Sequence, residues 1–228
     1  AWAESSAISF ANSVLGAMTN REGGPSALAS AIIGKTANYG LHLAENRFSE
    51  HLINVNCKLK DESDYGALGY LTGKKISGIP YFKGIKNPTI DQLKTLGAAM
   101  AASGGIALYH IENVTFEAIK QNMLQNYHQT IDINNLEEGF SSLNSSSTEE
   151  IDLVTVGCPH ASDEEINEIA RMLNGKKVKT RLWITMARRK SNSFLDKLSI
   201  IEKAGGEILY DTCIIVAPTK DFGIRSIA

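Results

Sequence analysis

Cys158 and Cys213 carry the groups best suited to chemistry, because thiolates are soft ligands for zinc or iron–sulfur clusters as well as good nucleophiles. Cys158 stands in Val156-Gly157-Cys158-Pro159-His160, between an apolar run and a helix start, and Cys213 in Asp211-Thr212-Cys213, after another apolar run. In parallel sheets ligands bind beyond the carboxyl ends of the strands, where helix N-termini also point. Two thiols at two strand ends of one sheet can therefore face one site. The alternative is a pair of inert buried cysteines, since free Cys is among the most buried residue types. No CxxC is present, so the spacing does not select a zinc ribbon. A Cys158 nucleophile beside His160 is a third option, two residues apart on a turn.

Other candidates lie near the start of the chain. Glu4 and Ser5 open a helical pattern, where free N–H groups and the positive end of the dipole favour an anion; simple capping is the competing reading. Asn20 and Arg21 sit in the glycine-closed loop Thr19-Asn20-Arg21-Glu22-Gly23-Gly24, and the guanidinium suits a carboxylate or phosphate, or else is simply solvated. His42 and His110 stand in strand-like contexts and read as structural histidines, and Cys57 reads as a half-buried strand residue.

The elements that must position these groups follow from periodicity. Ala7, Ile8, Ala11, Val14 and Leu15 form the apolar stripe of a first helix, with Ser5, Ser9, Asn12 and Ser13 on the other side. A second helix starts at Pro25 and stops at Gly34. Strands are expected over 39–43 and 51–59, a helix from the Thr89-x-x-Gln92 capping box to about 102, a strand over 106–111 and a helix over 115–126. Residues 129–150 read as a polar connector holding at most one short helix, between an N-terminal α/β region (1–128) and a βαβαβ domain (151–228). In the latter, strands over 151–156, 182–186 and 208–210 alternate with helices from Ser162 and over 194–204, which means a parallel sheet.

The 228 residues exceed the prior of about 150 per domain. A net charge of −2 argues against a nucleic-acid partner or a basic membrane patch, and no apolar run approaches the roughly 18 residues of a spanning helix. An odd cysteine count at wide spacing fits a reducing compartment, so a cytoplasmic location is expected. Position 1 is Ala and no basic leader precedes it, which points to a removed segment or a piece of a longer protein.

Ala1-Trp2-Ala3-Glu4-Ser5-Ser6-Ala7, Phe10-Ala11-Asn12-Ser13-Val14-Leu15-Gly16-Ala17, Thr19-Asn20-Arg21-Glu22-Gly23-Gly24-Pro25-Ser26-Ala27 and Tyr39-Gly40-Leu41-His42-Leu43, with the Gly157–His160 and Asp211–Cys213 motifs and Val216-Ala217-Pro218, resemble the aconitase X family. The resemblance implies an aconitase-like, layered α/β/α architecture with mainly parallel sheets. It implies a hydro-lyase subunit that dehydrates (R)-5-phosphomevalonate to trans-anhydromevalonate 5-phosphate in an archaeal-type mevalonate pathway, with cis-3-hydroxy-L-proline dehydratase as the alternative inside the family. A non-catalytic α/β protein with a zinc-binding or structural thiol pair is the alternative of another class. Implied with the first reading are a 4Fe-4S cluster with Cys158 and Cys213 as two of three ligands, substrate contacts at Glu4 and Ser5, and Asn20 and Arg21 as site neighbours. The third ligand is expected upstream of Ala1, a substrate lysine beyond Ala228, and the general base, a serine, on a small swivelling-domain subunit. Cys57 matches no ligand position. This chain alone is then expected to be inactive. Phe116 stands where relatives commonly carry proline, which puts the start of its helix in question.

Overall fold

The computed structural model describes residues 5–144, 150–188 and 192–228, in two compact units, Ala1–Ser145 and Ser146–Ala228. Glu4 and the rest of the first motif's opening, and the serine run at 145–148, lie outside the described residues.

The helices and strands of the first unit are α1 (Ser5–Ser13), α2 (Gly24–Ile33), β1 (Ser49–Val55), α3 (Glu62–Lys75), β2 (Pro80–Lys83), α4 (Ile90–Gly104), β3 (His110–Ile111), α5 (Phe116–Lys120), β4 (Leu124–Ile133) and α6 (Glu137–Leu143). Its strands are all parallel, in the order β3-β2-β1-β4. The capping box opens α4: Thr89 Oγ1 accepts from the Gln92 N–H at 3.1 Å and Gln92 Oε1 from the Thr89 N–H at 3.0 Å, and Gly105 in the left-handed region closes the helix. Asp61 caps α3, whose first turn is acidic and last turn basic, as the helix dipole favours. Periodicity assigned no element to 62–83, because α3 buries Gly69, Thr72 and Gly73 beside Leu68 and Leu71 rather than a stripe of large side chains. The bare glycines let α4 approach: a Cβ on Gly69 would stand 2.6 Å from the Leu96 carbonyl oxygen. Ile53, Leu68, Phe82, Leu96, Met100 and Ile111 fill the core between these helices and the sheet.

Several expectations are corrected. Residues 39–43 are not a strand but enter two 3-10 turns, Gly40–His42 and Ala44–Arg47, because Gly40 has φ +58° and the Asn20 carboxamide takes the backbone groups that a ladder would have used. The strand read over 51–59 runs from Ser49 to Val55; Cys57 and Leu59 continue its alternation only by packing against the core from outside the sheet. Burial pushes the Cys57 thiol above its ordinary range, with Asp64 adding to the effect. Of 106–111 only His110–Ile111 pairs, since Asn12 and Ser13 bind the backbone of Ala107 and Tyr109. The helix read over 115–126 spans five residues, starting at Phe116, and the polar residues after it form β4, an edge strand whose solvent-facing side needs no apolar pattern. The stripe reading of α1 holds only in part: Ile8 is buried and Val14 packs against the core, but Ser9, Asn12 and Ser13 on the other side are buried as well and Leu15 is 65% exposed.

The second unit contains β5 (Leu153–Val156), α7 (Asp163–Leu173), β6 (Arg181–Met186), α8 (Asn192–Ala204) and β7 (Gly206–Tyr210). Its sheet is parallel in the order β5-β6-β7, with Ile166, Ala170, Ile184, Met186, Leu198 and Ile201 at the centre of its core. Ser162 and Glu165 form the capping box of α7. Mixed α/β architecture with parallel sheets is thus the class observed. Among the described residues no helix is long and apolar enough to cross a membrane.

Candidate functional site

In the first unit, small polar side chains build the loop that holds Asn20 and Arg21. Asn12, fully buried on α1, donates to the carbonyls of Thr19 at 2.8 Å and Ala107 at 2.9 Å and accepts from the Thr19 N–H at 3.0 Å. Asn20 donates to the Tyr39 carbonyl at 3.0 Å and accepts from the Leu41 N–H at 2.7 Å, so its amide is engaged with the 39–41 backbone. Arg21 is exposed and donates to the Gly105 carbonyl at 3.3 Å. Next to it, Glu22 and Thr36 gather around His42: Thr36 Oγ1 lies 3.5 Å from Glu22 Oε1 and 3.5 Å from His42 Nε2. Ser5 opens α1.

Arg47 joins these pieces, and nothing in its local pattern, Ala44-Glu45-Asn46-Arg47, distinguishes it from a surface arginine. Its side chain is 0% exposed. Nε and Nη2 form a fork on the Glu117 carboxylate, both at 2.8 Å, while the carbonyls of Leu41 and Ala17 accept at 3.0 Å and that of Asn12 at 3.4 Å. One guanidinium thus ties α1, the segment before Asn20, the 39–43 loop and α5 together. The Arg47 carbonyl in turn accepts from buried His110 Nε2 at 2.8 Å, which assigns the Nε2–H tautomer because a carbonyl cannot donate. His110 is therefore structural, as its strand context suggested.

In the second unit, the predicted thiols lie on loops at the carboxyl edge of one sheet. Cys158 follows β5 and is exposed; Cys213 follows β7 and is half-buried; neither is in a disulfide. Cys158–Pro159 is a cis peptide bond. The Cys158 loop is seated on β6: Thr185 Oγ1 donates to the Gly157 carbonyl at 2.6 Å, and the Ala161 N–H donates to the Thr185 carbonyl at 2.9 Å. Gly157 has φ +116°, and an added Cβ would run into the carbonyl and hydroxyl oxygens of Thr185. The Cys213 loop is seated beside it, with the Asp211 N–H donating to the Met186 carbonyl at 3.0 Å and the Asp211 carboxylate accepting from Arg188 N at 3.0 Å and Nε at 3.2 Å. The Arg188 backbone N–H is the main cause holding the Asp211 carboxyl below its ordinary range, with the guanidinium and His160 adding to it. His160 Nε2 lies 2.6 Å from the Thr212 carbonyl and bridges the two loops.

Two unbridged thiols presented at one sheet edge suit a soft ion or an iron–sulfur cluster, as part of a ligand set. Among the described residues no group of three or more His, Cys, Asp or Glu side chains is arranged to hold a metal. The protein is thus an α/β protein of parallel sheets with a thiol pair at the ligand-binding edge of one of them. Domain models of aconitase X match along the chain, the first domain at residues 1–45, the second at 49–141 and the third at 151–228. The chain belongs to the aconitase X family.

Phosphomevalonate dehydratase large subunit from Methanocaldococcus jannaschii is 50% identical over 240 residues, covering 100% of this chain and 59% of that protein. The protein of the same name from Methanosarcina mazei is 48% identical over 223 residues, 97% of this chain and 55% of that one. Cis-3-hydroxy-L-proline dehydratase from Pseudomonas aeruginosa is 32% identical over 227 residues, 93% of this chain and 39% of that one. The crystal structure of Thermococcus kodakaraensis aconitase X in its holo-form superposes with a TM-score of 0.84 at 44% identity, over 98% of this chain and 59% of that one. The chain therefore spans 59% or less of the length of these relatives.

Proposed function

We propose that the chain forms the greater part of the large subunit of a dehydratase acting on (R)-5-phosphomevalonate, together with a small partner subunit. The observation that carries this reading is the gradient of similarity: 50% identity along the whole chain to a phosphomevalonate dehydratase large subunit, against 32% to a cis-3-hydroxy-L-proline dehydratase. The reaction removes a proton from the carbon beside the carboxylate and the hydroxyl from the next carbon, which leaves as water and gives trans-anhydromevalonate 5-phosphate. A 4Fe-4S cluster, when bound, supplies a Lewis-acidic iron that polarises the departing hydroxyl. Cys158 and Cys213 would hold it, with a third cysteine outside this chain.

Glu4, Ser5 and Arg21 are proposed to meet substrate, Arg21 as the cation for a carboxylate or phosphate. Asn20 acts by holding the 39–41 loop, since its amide is engaged there. The general base is assigned to the small subunit, and the location to the cytoplasm.

The test is turnover by the complete enzyme, both subunits present, on 5-phosphomevalonate and on cis-3-hydroxy-L-proline, with iron and sulfide analysis of Cys158→Ser and Cys213→Ser. Dehydration of the phosphorylated acid and loss of cluster in both variants are expected. Turnover of hydroxyproline alone would overturn the substrate assignment, and unchanged iron in both variants would overturn the ligand assignment.

A further inference from the structure

β5 and β7 are separated by β6, so strands about 4.8 Å apart place the bases of the two cysteine loops about 10 Å from each other. Thiols that share a ligand must be brought together above the end of β6. Each loop is anchored to β6 separately, the first through Thr185 and the second through Met186. These anchors fix the bases of the loops on β6 and leave the parts above the strand ends to contacts between the loops. The hydrogen bond between His160 and Thr212 is such a contact, because it runs directly from loop to loop.

Its position is specific at both ends. His160 stands two residues after Cys158, across Pro159, whose ring restricts the backbone between them. The Thr212 carbonyl belongs to the peptide unit that leads into Cys213, so fixing that plane fixes the direction in which Cys213 leaves the backbone. A carbonyl only accepts, so the imidazole donates its Nε2–H at 2.6 Å. The Asp211 carboxylate, held by Arg188, stands on the same loop.

We propose that His160 is a positioning residue that latches the Cys158 and Cys213 loops at the separation an iron–sulfur cluster requires. The inference rests on the ligand assignment made under Proposed function. The latch places both sulfurs before the third ligand or the cluster arrives, so the entropy of ordering two loops is not charged to cluster binding.

The test uses the complete enzyme with its small subunit, anaerobically reconstituted, in four variants: His160→Ala, His160→Gln, Cys158→Ser and Cys213→Ser. The readouts are iron and sulfide per chain, the rate at which a ferrous chelator bleaches the cluster absorbance, and the low-temperature EPR spectrum of the reduced cluster. Outer-shell hydrogen bonds of this kind are worth about 10–100-fold in metal affinity, so bleaching of His160→Ala is expected to accelerate at least about tenfold with a changed EPR spectrum. His160→Gln, which keeps an amide donor, is expected to recover most of the wild-type rate; if His160→Ala does not fold, a fifth variant, His160→Phe, which keeps a ring without a donor, takes its place and is expected to bleach as fast as stated for His160→Ala. Bleaching of both His160 variants within twofold of wild type, with cluster lost in both cysteine variants, would overturn the latch and leave the ligand assignment standing. Cluster retained in both cysteine variants would overturn both.

Discussion

Replacing Arg47 by Ala removes a guanidinium that is 0% exposed and leaves the Glu117 carboxylate without its two 2.8 Å donors. It also strips a donor from the carbonyls of Leu41, Ala17 and Asn12. Removing one partner of a buried ion pair costs about 3–5 kcal/mol. Glu117 is itself 20% exposed, so water can reach it and the lower end, about 3 kcal/mol, applies. With a urea dependence of about 1.5 kcal/mol per molar, the unfolding midpoint of the first unit should fall by about 2 M, as read by far-UV circular dichroism. Arg47→Lys keeps the charge but not the fork, and should recover less than half of the loss. In a double-mutant cycle, Arg47→Ala with Glu117→Gln should show a coupling of about 2–3 kcal/mol. Hydrogen exchange should quicken in 17–22 and 39–43, the segments the guanidinium ties down. A midpoint shift under about 0.3 M, or a coupling near zero, would refute the reading of Arg47 as the tie among these segments.

Burial holds the His110 imidazole below its ordinary value of 6.5, so the folded protein keeps it neutral where the unfolded chain takes up a proton. Its contribution is whole above 6.5 and is lost as pH falls from there towards the depressed folded value; between pH 7 and 5.5 the loss should be up to about 1 kcal/mol, and His110→Gln should flatten that part of the urea-midpoint profile. Gly157→Ala places a Cβ against Thr185 at a backbone angle of +116°, and should displace the Cys158 loop, seen as loss of bound iron with little change in the far-UV spectrum. Gly69→Ala forces α3 and α4 apart, and should lower the stability of the first unit by about 1–3 kcal/mol in a urea titration.

The second unit was more legible in sequence than the first, for a physical reason. Its strands are apolar runs bounded by glycines and caps, and its helices bury one stripe, so local pattern and tertiary burial agree. The thiol loops could be placed at strand ends on that basis, but their hydrogen-bonded link through His160 could not, because it joins residues 52 positions apart. In the first unit the same rule misleads. Leu15, Leu28 and Ile32 carry the apolar periodicity and are exposed, whereas Asn12, Ser13 and Arg47 are buried. Burying them is favourable only where distant backbone groups satisfy them, and those partners are invisible to any window of local sequence.

That inversion bears on what the long first motif is for. A motif read as substrate-binding invites the view that each polar residue in it reaches for a ligand. Instead Asn12 bonds Thr19 and Ala107, Ser13 accepts from the Tyr109 N–H at 2.9 Å, and Asn20 bonds Tyr39 and Leu41. Each of these side chains substitutes for a sheet ladder that the 17–22, 39–43 and 105–109 segments lack, and so fixes irregular backbone that would otherwise carry unsatisfied groups. Asn and Ser serve because their short side chains present donors and acceptors at fixed distance with little entropy to lose. Asn12, Ser13 and Asn20 therefore act at one remove, through the backbone they shape. Under the proposed function, direct contact with substrate is left to Glu4, Ser5 and the exposed cation that this cradle displays, Arg21.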